Sequence, residues 1–352
     1  MARRELRFKQ LSVVEIVTQA GAALTTLGCA WAGLGVWALV AGHVASTSIK
    51  SAMLLLRFGS VAPRFSLRGQ RELARFGGAL TANRVIWYFS SQADMFIAAK
   101  LLGKEGLGVY AVAVHLATMP MQKLTAVSNQ VAFSAYAKLQ TDATRFRAAL
   151  LESLTMMSAL AVGLLWGLAG TAPTLIPLVL GSQWTAATLP LQIVAMVIPI
   201  RLSAAMLSTA LIAAGHVGAD LKNTLVSAAI LIPAFLVGAT LDGVRGLALG
   251  WALGYPVFAL VLVWRACGKL PLTMASVLGS FAAPGAAGLV MLLALAAWHG
   301  FGPEAPAVLS LLAQMAIGAG SYLLGLFVLD RNILVRSAEF VGLRPSANVA
   351  KD

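Results

Sequence analysis

Long apolar runs separated by short polar stretches dominate this chain. In order they are Leu11–Trp31, Gly33–Leu56, Gly78–Leu102, Val109–Ala137, Ala148–Gly170, Ala186–Ala214, Leu221–Leu241, Gly246–Cys267, Val277–Trp298 and Ala307–Leu329. An α-helix needs about 20 residues to cross the hydrocarbon of a bilayer, so the pattern predicts ten membrane-spanning helices. A transmembrane β-barrel shows short alternating segments instead of continuous apolar runs. Composition agrees: of 352 residues, 59% are hydrophobic and 11% charged, against about 25% charged in soluble domains. The fold class is an all-α, polytopic membrane helix bundle.

Polar residues inside the runs are few, so each one matters. The third run carries Asn83, Arg84, Ser90, Ser91, Gln92 and Asp94. At roughly 100° per residue, Asn83, Arg84, Trp87, Ser90, Ser91 and Asp94 fall within a sector of about 120°. Charges in a span usually face a bundle interior or a watery cavity. Two readings of Arg84 stand: it lines such a cavity, or it snorkels to the interface. Asp94 is shorter and snorkels less. On the fourth run His115, Gln122 and Asn129 are seven apart, with Lys123 beside the stripe, and Pro120 is expected to kink the helix. Arg201 lies mid-way along the sixth, near Pro199. The expected site is therefore one polar cavity lined by Arg84, Asp94, Lys123 and Arg201. Glu15 and Lys50 lie near the ends of the first two runs. An interfacial or ion-paired carboxylate fits Glu15 as well as a functional one.

Glycine rows mark helix contacts. Gly163 and Gly167 form a GxxxG face, and Gly246, Gly250 and Gly254 a doubled one, spacings that let helices approach closely. Three stretches read as breaks: GKEGLG (103–108) as a tight turn, LQTDATRFR (139–147) as a polar connector, and TAPTLIPLVLGSQW (171–184) as interfacial.

The net charge of +13 raises the question of nucleic acid, and its placement answers it. With the N-terminus in the cytoplasm, 19 of the 26 Lys and Arg fall on the cytoplasmic side and Lys100, Lys104 and Arg245 on the other, while Lys50, Arg84, Lys123 and Arg201 lie within the runs. That is the positive-inside bias, with both termini cytoplasmic. No GxxxxGK phosphate loop or GxSxG nucleophile motif is present. His43, His115, His216 and His299 are scattered, and Cys29 and Cys267 suggest no disulfide framework. No cofactor, metal site or enzymatic activity is expected, although catalytic carboxylates can sit in spans.

The segments RRELRFKQLSVVEI and GLGVWALVAG are followed by ELARFGGALTANRVIWYFSSQADMFIAAKLLGKEGLGVYAVA and LVLGSQWTAATLPLQI. Together they resemble the polysaccharide (O-antigen, Wzx-type) flippases of the multidrug/oligosaccharidyl-lipid/polysaccharide exporter superfamily. The resemblance weakens after about residue 270. It implies a two-lobe fold of about fourteen helices, of which the ten runs match helices five to fourteen. The first four helices would then be absent, the first lobe incomplete, and this chain alone inactive. The implied organisation is 1–56, last two helices of the first lobe; 57–77, basic cytoplasmic connector; 78–267, second six-helix lobe; 268–330, two additional helices; 331–352, cytoplasmic tail. The implied cargo is a lipid-linked oligosaccharide, an undecaprenyl-diphosphate sugar, moved across a bacterial inner membrane for lipopolysaccharide-type surface polymers. Its partners would be membrane lipids and the polysaccharide polymerase machinery. Arg84, Lys123 and Arg201, with Asn83 and Gln122, suit a diphosphate headgroup. Asp94 would balance those charges or carry a coupling proton, and an internal Arg84–Asp94 pair is the purely structural reading. A drug/cation antiporter of the same superfamily, or a non-transporting remnant, is the alternative. The antiporter would favour acidic cavity residues. A polymerase or ligase would need a large outer loop.

Overall fold

A computed structural model describes residues 8–58, 81, 85, 88–139, 142–303, 305–331 and 333. The chain forms two compact units, Met1–Gly77 and Gly78–Asp352. All regular structure among the described residues is helical.

In the first unit, α1 (Phe8–Trp31) and α2 (Trp37–Phe58) form a hairpin. Gly33 (φ 78°) and Gly35 (φ 51°) make the turn, in the left-handed region that side chains with a Cβ avoid. Small residues set the crossing. A Cβ on Gly42 would strike Thr26, and one on Gly21 would sit 2.6 Å from Ile49 Cδ1. Lys50 Nζ donates to Glu15 Oε2 at 2.7 Å. The two charges left separate by sequence thus neutralise each other across the hairpin. The rest of the pair is apolar on almost every side, with Leu24, Leu39 and Leu56 exposed, as helices in hydrocarbon are.

In the second unit residues 81, 85 and 88–91 are helical, and α3 (Ala93–Leu101), α4 (Gly103–Leu139) and α5 (Ala143–Leu180) follow. A 3-10 turn (Ser182–Ala187) leads into α6 (Thr188–Ala213). Then come α7 (Val217–Cys267), α8 (Met274–Phe301) and α9 (Ala307–Leu329). Packing centres on α6, which lies against α4, α5 and α7, while α5 also carries α8 and α9. Leu150, Leu165, Leu191, Ile198 and Leu207 fill the core.

α7 is a pair rather than a rod. Helical geometry fails at Asp242 (φ −142°, ψ 31°) and Gly243 (φ 53°, ψ −127°). There the chain folds back, so the seventh and eighth runs become two antiparallel arms. The doubled glycine row is their seam. Gly246 abuts the backbone of Gly238, Gly250 faces Ala234 and Phe235, and Gly254 faces Leu231 and Ala234. The other predicted face also packs: Gly163 sits against Tyr322 of α9 and Gly167 near Met291 of α8, while Gly288 of α8 meets Val162 and Trp166.

Three sequence-based breaks are corrected. The tight turn reduces to Leu102 and Gly103 (φ 68°), and Lys104–Gly108 is already helix. Most of the polar connector is the start of α5, whose N-cap Asp142 accepts the backbone N–H groups of Thr144 and Arg145 at 3.1 and 3.0 Å. The stretch read as interfacial begins as unbroken helix, because α5 runs through Pro173 and Pro177 to Gly181. Proline removes the N–H that would bind the carbonyl four residues earlier. For Pro173 that carbonyl is Ala169, and Gln192 Nε2 of α6 supplies the missing donor at 3.0 Å. His299 Nε2 lies 3.0 Å from the next carbonyl, Gly170. Neighbouring side chains make the helix continuous where sequence alone suggested a stop.

Candidate functional site

Asp94 lies in the first turn of α3, on the face that also buries Ala93, Ile97 and Ala98. Asp94 is 3% exposed, so its carboxylate oxygens require donors. Tyr110 of α4, itself fully buried, donates its hydroxyl to Asp94 Oδ2 at 2.8 Å. Trp251, on the second arm of α7, donates its indole N–H to the same Tyr110 oxygen at 2.8 Å. The Trp251 ring stacks on Tyr255 (5.6 Å between centroids, 11° between planes) and touches Phe235 at 5.4 Å.

Arg201 of α6 completes the set. Its guanidinium carbon lies over the Trp251 ring, 5.1 Å from the centroid, within the range of a cation–π contact. Among the described residues no carboxylate pairs with it and no acceptor takes its N–H groups. Four elements, α3, α4, α6 and α7, therefore converge on one contiguous chain of side chains from Asp94 to Arg201.

This chain borders a cavity of about 740 Å³. Asp94, Ser91, Gln92, His115, Thr118 and Arg201 supply its polar wall, and residues such as Met95, Val112, Leu116 and Trp251 its apolar wall. The space can take a large group, presenting among the described residues the Arg201 cation, the Asp94 carboxylate and scattered hydroxyl, amide and imidazole groups. A mostly apolar cavity with few convergent polar groups is the usual form of a binding site.

Of the predicted site residues, Asp94, Arg201 and His115 are brought together here. Asn83, Arg84 and Trp87 lie outside the described residues, and for Gln122, Lys123 and Asn129 the helix is described but not the side chains. Sequence reasoning missed Tyr110 and Trp251. The available signal was weak: both carry a polar group that needs a partner when buried, and Trp251 follows directly on Gly250 of the glycine row.

Comparisons place this geometry among known proteins. The profile of a family described as "Polysaccharide biosynthesis protein" matches residues 1–189. The lipopolysaccharide biosynthesis protein WzxC of Escherichia coli (strain K12) is 26% identical over 260 residues, 72% of this chain and 52% of that protein. The teichuronic acid biosynthesis protein TuaB of Bacillus subtilis (strain 168) is 25% identical over 206 residues, 56% and 41% of the two chains. The succinoglycan biosynthesis transport protein ExoT of Rhizobium meliloti (strain 1021) is 26% identical over 183 residues, covering 51% and 37%. This chain spans about half the length, or less, of these relatives. In three dimensions it resembles the lipid II flippase MurJ in an inward closed conformation, with a TM-score of 0.70 at 13% identity, covering 90% of this chain and 67% of that one. That likeness establishes the fold, a multi-pass helical bundle. With a profile match over more than half its residues, the chain belongs to the polysaccharide biosynthesis protein family.

Proposed function

We propose that this protein moves a lipid-linked oligosaccharide, carried on an anionic undecaprenyl-diphosphate-type lipid, between the leaflets of a bacterial cytoplasmic membrane during surface-polysaccharide synthesis. The observation that carries the reading is the cavity cation: Arg201 borders a cavity of about 740 Å³ and, among the described residues, no carboxylate forms an ion pair with it. A guanidinium presents five N–H donors in a planar fork that matches phosphate oxygens. The relatives named for lipopolysaccharide, teichuronic acid and succinoglycan biosynthesis support a sugar-bearing cargo. The MurJ likeness supports a flippase architecture.

Under this proposal Arg84 and Lys123, with Asn83 and Gln122, join Arg201 in holding the headgroup, and Asp94 serves ion coupling. The protein acts as a transporter rather than an enzyme, with both termini in the cytoplasm, and hands its cargo to a polymerase. A cationic-drug antiporter fits less well. Such a site offers a free carboxylate, whereas Asp94 already accepts the Tyr110 hydroxyl and the cation is the group left open.

The test is complementation of a strain deleted for its own flippase, using the full-length protein and scoring surface polysaccharide. Export should be restored, and Arg201→Ala should reduce it at unchanged membrane abundance. Failure across strains with several different repeat units refutes the flippase reading. Normal export by Arg201→Ala refutes the role of the cavity cation.

A further inference from the structure

We propose that Tyr110 and Trp251 are positioning residues that hold Arg201 toward the anionic group of the cargo, through a relay anchored at Asp94. The inference rests on the anionic-lipid reading above and adds how the cation is kept available.

With Asp94 ionised, hydrogen-bond chemistry gives the relay one polarity. An indole N–H only donates, and an ionised carboxylate only accepts. The Tyr110 oxygen must therefore accept from Trp251, 2.8 Å away. Its single O–H is left to donate to Asp94 Oδ2, also at 2.8 Å. This fixes the rotation of the Trp251 ring about its side-chain axis, and the parallel Tyr255 ring supports it. The face so oriented lies under the Arg201 guanidinium at 5.1 Å.

The choice of partner has a chemical consequence. A carboxylate pairing side-on with arginine takes two of its N–H groups and cancels its charge. An aromatic face attracts the cation through its quadrupole and leaves the in-plane N–H groups unengaged. With no other described residue engaging it, Arg201 is thus held in place with its donors open to the cavity. Asp94 contributes at a distance, by orienting the hydroxyl that orients the ring, and so the acid does not compete with the ligand. All four side chains are at least half withdrawn from the surface, and three of them are buried.

The test uses purified full-length protein in detergent with farnesyl diphosphate as the probe, binding being followed by calorimetry. Arg201→Ala should weaken binding about tenfold, equivalent to about 1.4 kcal/mol. Tyr110→Phe, which removes only the hydroxyl, and Trp251→Leu should each weaken it severalfold. Trp251→Phe keeps a ring but loses the N–H, and should fall between wild type and Trp251→Leu. The decisive measurement is the combination: in an Arg201→Ala background, Tyr110→Phe and Trp251→Phe should have no further effect, because the cation they position is gone. Equal losses in both backgrounds overturn the proposal, since the residues then act through general packing. Unchanged binding on Tyr110→Phe with Arg201 intact also overturns it. If Trp251→Leu does not fold, the two Phe variants carry the test. Absence of diphosphate binding by the wild type refutes the underlying anionic-lipid reading. Binding by the wild type with additive losses refutes only the relay.

Discussion

The glycine seam of α7 permits a graded stability prediction. Replace Gly246, Gly250, Gly254 and Gly279 singly with alanine. In a helix interior, Gly→Ala favours the folded state by about 1 kcal/mol through backbone entropy alone. At Gly279 a new methyl meets nothing within 4 Å, so this gain should appear undiminished. At Gly254 the methyl would lie 3.0 Å from Leu231 Cδ2 and 3.2 Å from Ala234 Cβ. A small side-chain adjustment absorbs that, and the substitution should be nearly neutral. At Gly250 it meets the Ala234 carbonyl oxygen and Phe235 Cδ1, both at 2.9 Å. At Gly246 it overlaps the Gly238 carbonyl, which is backbone and cannot swing aside. The arms must part by roughly 1 Å, and a gap of that size forfeits a quarter to a half of each contact's dispersion energy. Overpacking of this kind costs about 1–3 kcal/mol. Set against the propensity gain of about 1 kcal/mol, Gly246→Ala should be net destabilising by up to about 2 kcal/mol, with Gly250→Ala between it and Gly254→Ala. Thermal unfolding in one detergent, followed by loss of the monodisperse chromatographic peak, gives the order directly. The reasoning fails if Gly246→Ala is as stable as Gly279→Ala, because the arms would then not touch along that row.

Three further outcomes follow from other contacts. In a background without Cys29 and Cys267, Thr144→Cys and Ser182→Cys at opposite ends of α5 should react with impermeant thiol reagents from opposite sides; labelling from one side would overturn the ten-span topology. Removing one member of the Glu15–Lys50 pair should lower thermal stability by leaving a lone charge in a span, and the swap Glu15→Lys with Lys50→Glu should restore it; a swap worse than either single change excludes pairing. Gln192→Leu should destabilise by about 1–2 kcal/mol by orphaning the Ala169 carbonyl, and adding Pro173→Ala, which returns an N–H, should recover most of the loss; no recovery would mean Gln192 acts otherwise.

The helices were legible because hydrocarbon imposes a single requirement, a sustained apolar run: seven described helices are long and apolar enough to cross a membrane, and each falls on predicted runs. Asp94 and Arg201 were legible for the converse reason, as charges where charge is costly. Tyr110 and Trp251 were not, since an aromatic residue inside an apolar run looks like any other core residue. What makes them a relay is a contact between positions 141 residues apart, which no local period encodes. The glycine row predicted a close neighbour without naming it, because spacing defines a face and says nothing of what meets it. The prolines of α5 misled for a related reason. Whether Pro173 ends a helix depends on Gln192 and His299, two residues on other elements.

The two-residue reversal at Asp242–Gly243 also bears on how the protein is made. Between the arms of α7 there is almost no loop to translocate, so the pair can leave the insertion machinery as one preformed unit, sealed along its glycines. By then Asp94, Tyr110 and Arg201 have already been synthesised, and Trp251 arrives on the second arm. Until that arm docks, Arg201 lacks its aromatic face and Tyr110 its second bond. The polar chain is thus finished by the hairpin, whereas α8 and α9, emerging later, contribute none of its members. Nascent chains should complete the chain of side chains from Asp94 to Arg201 in a single step of elongation, between the first arm and the second.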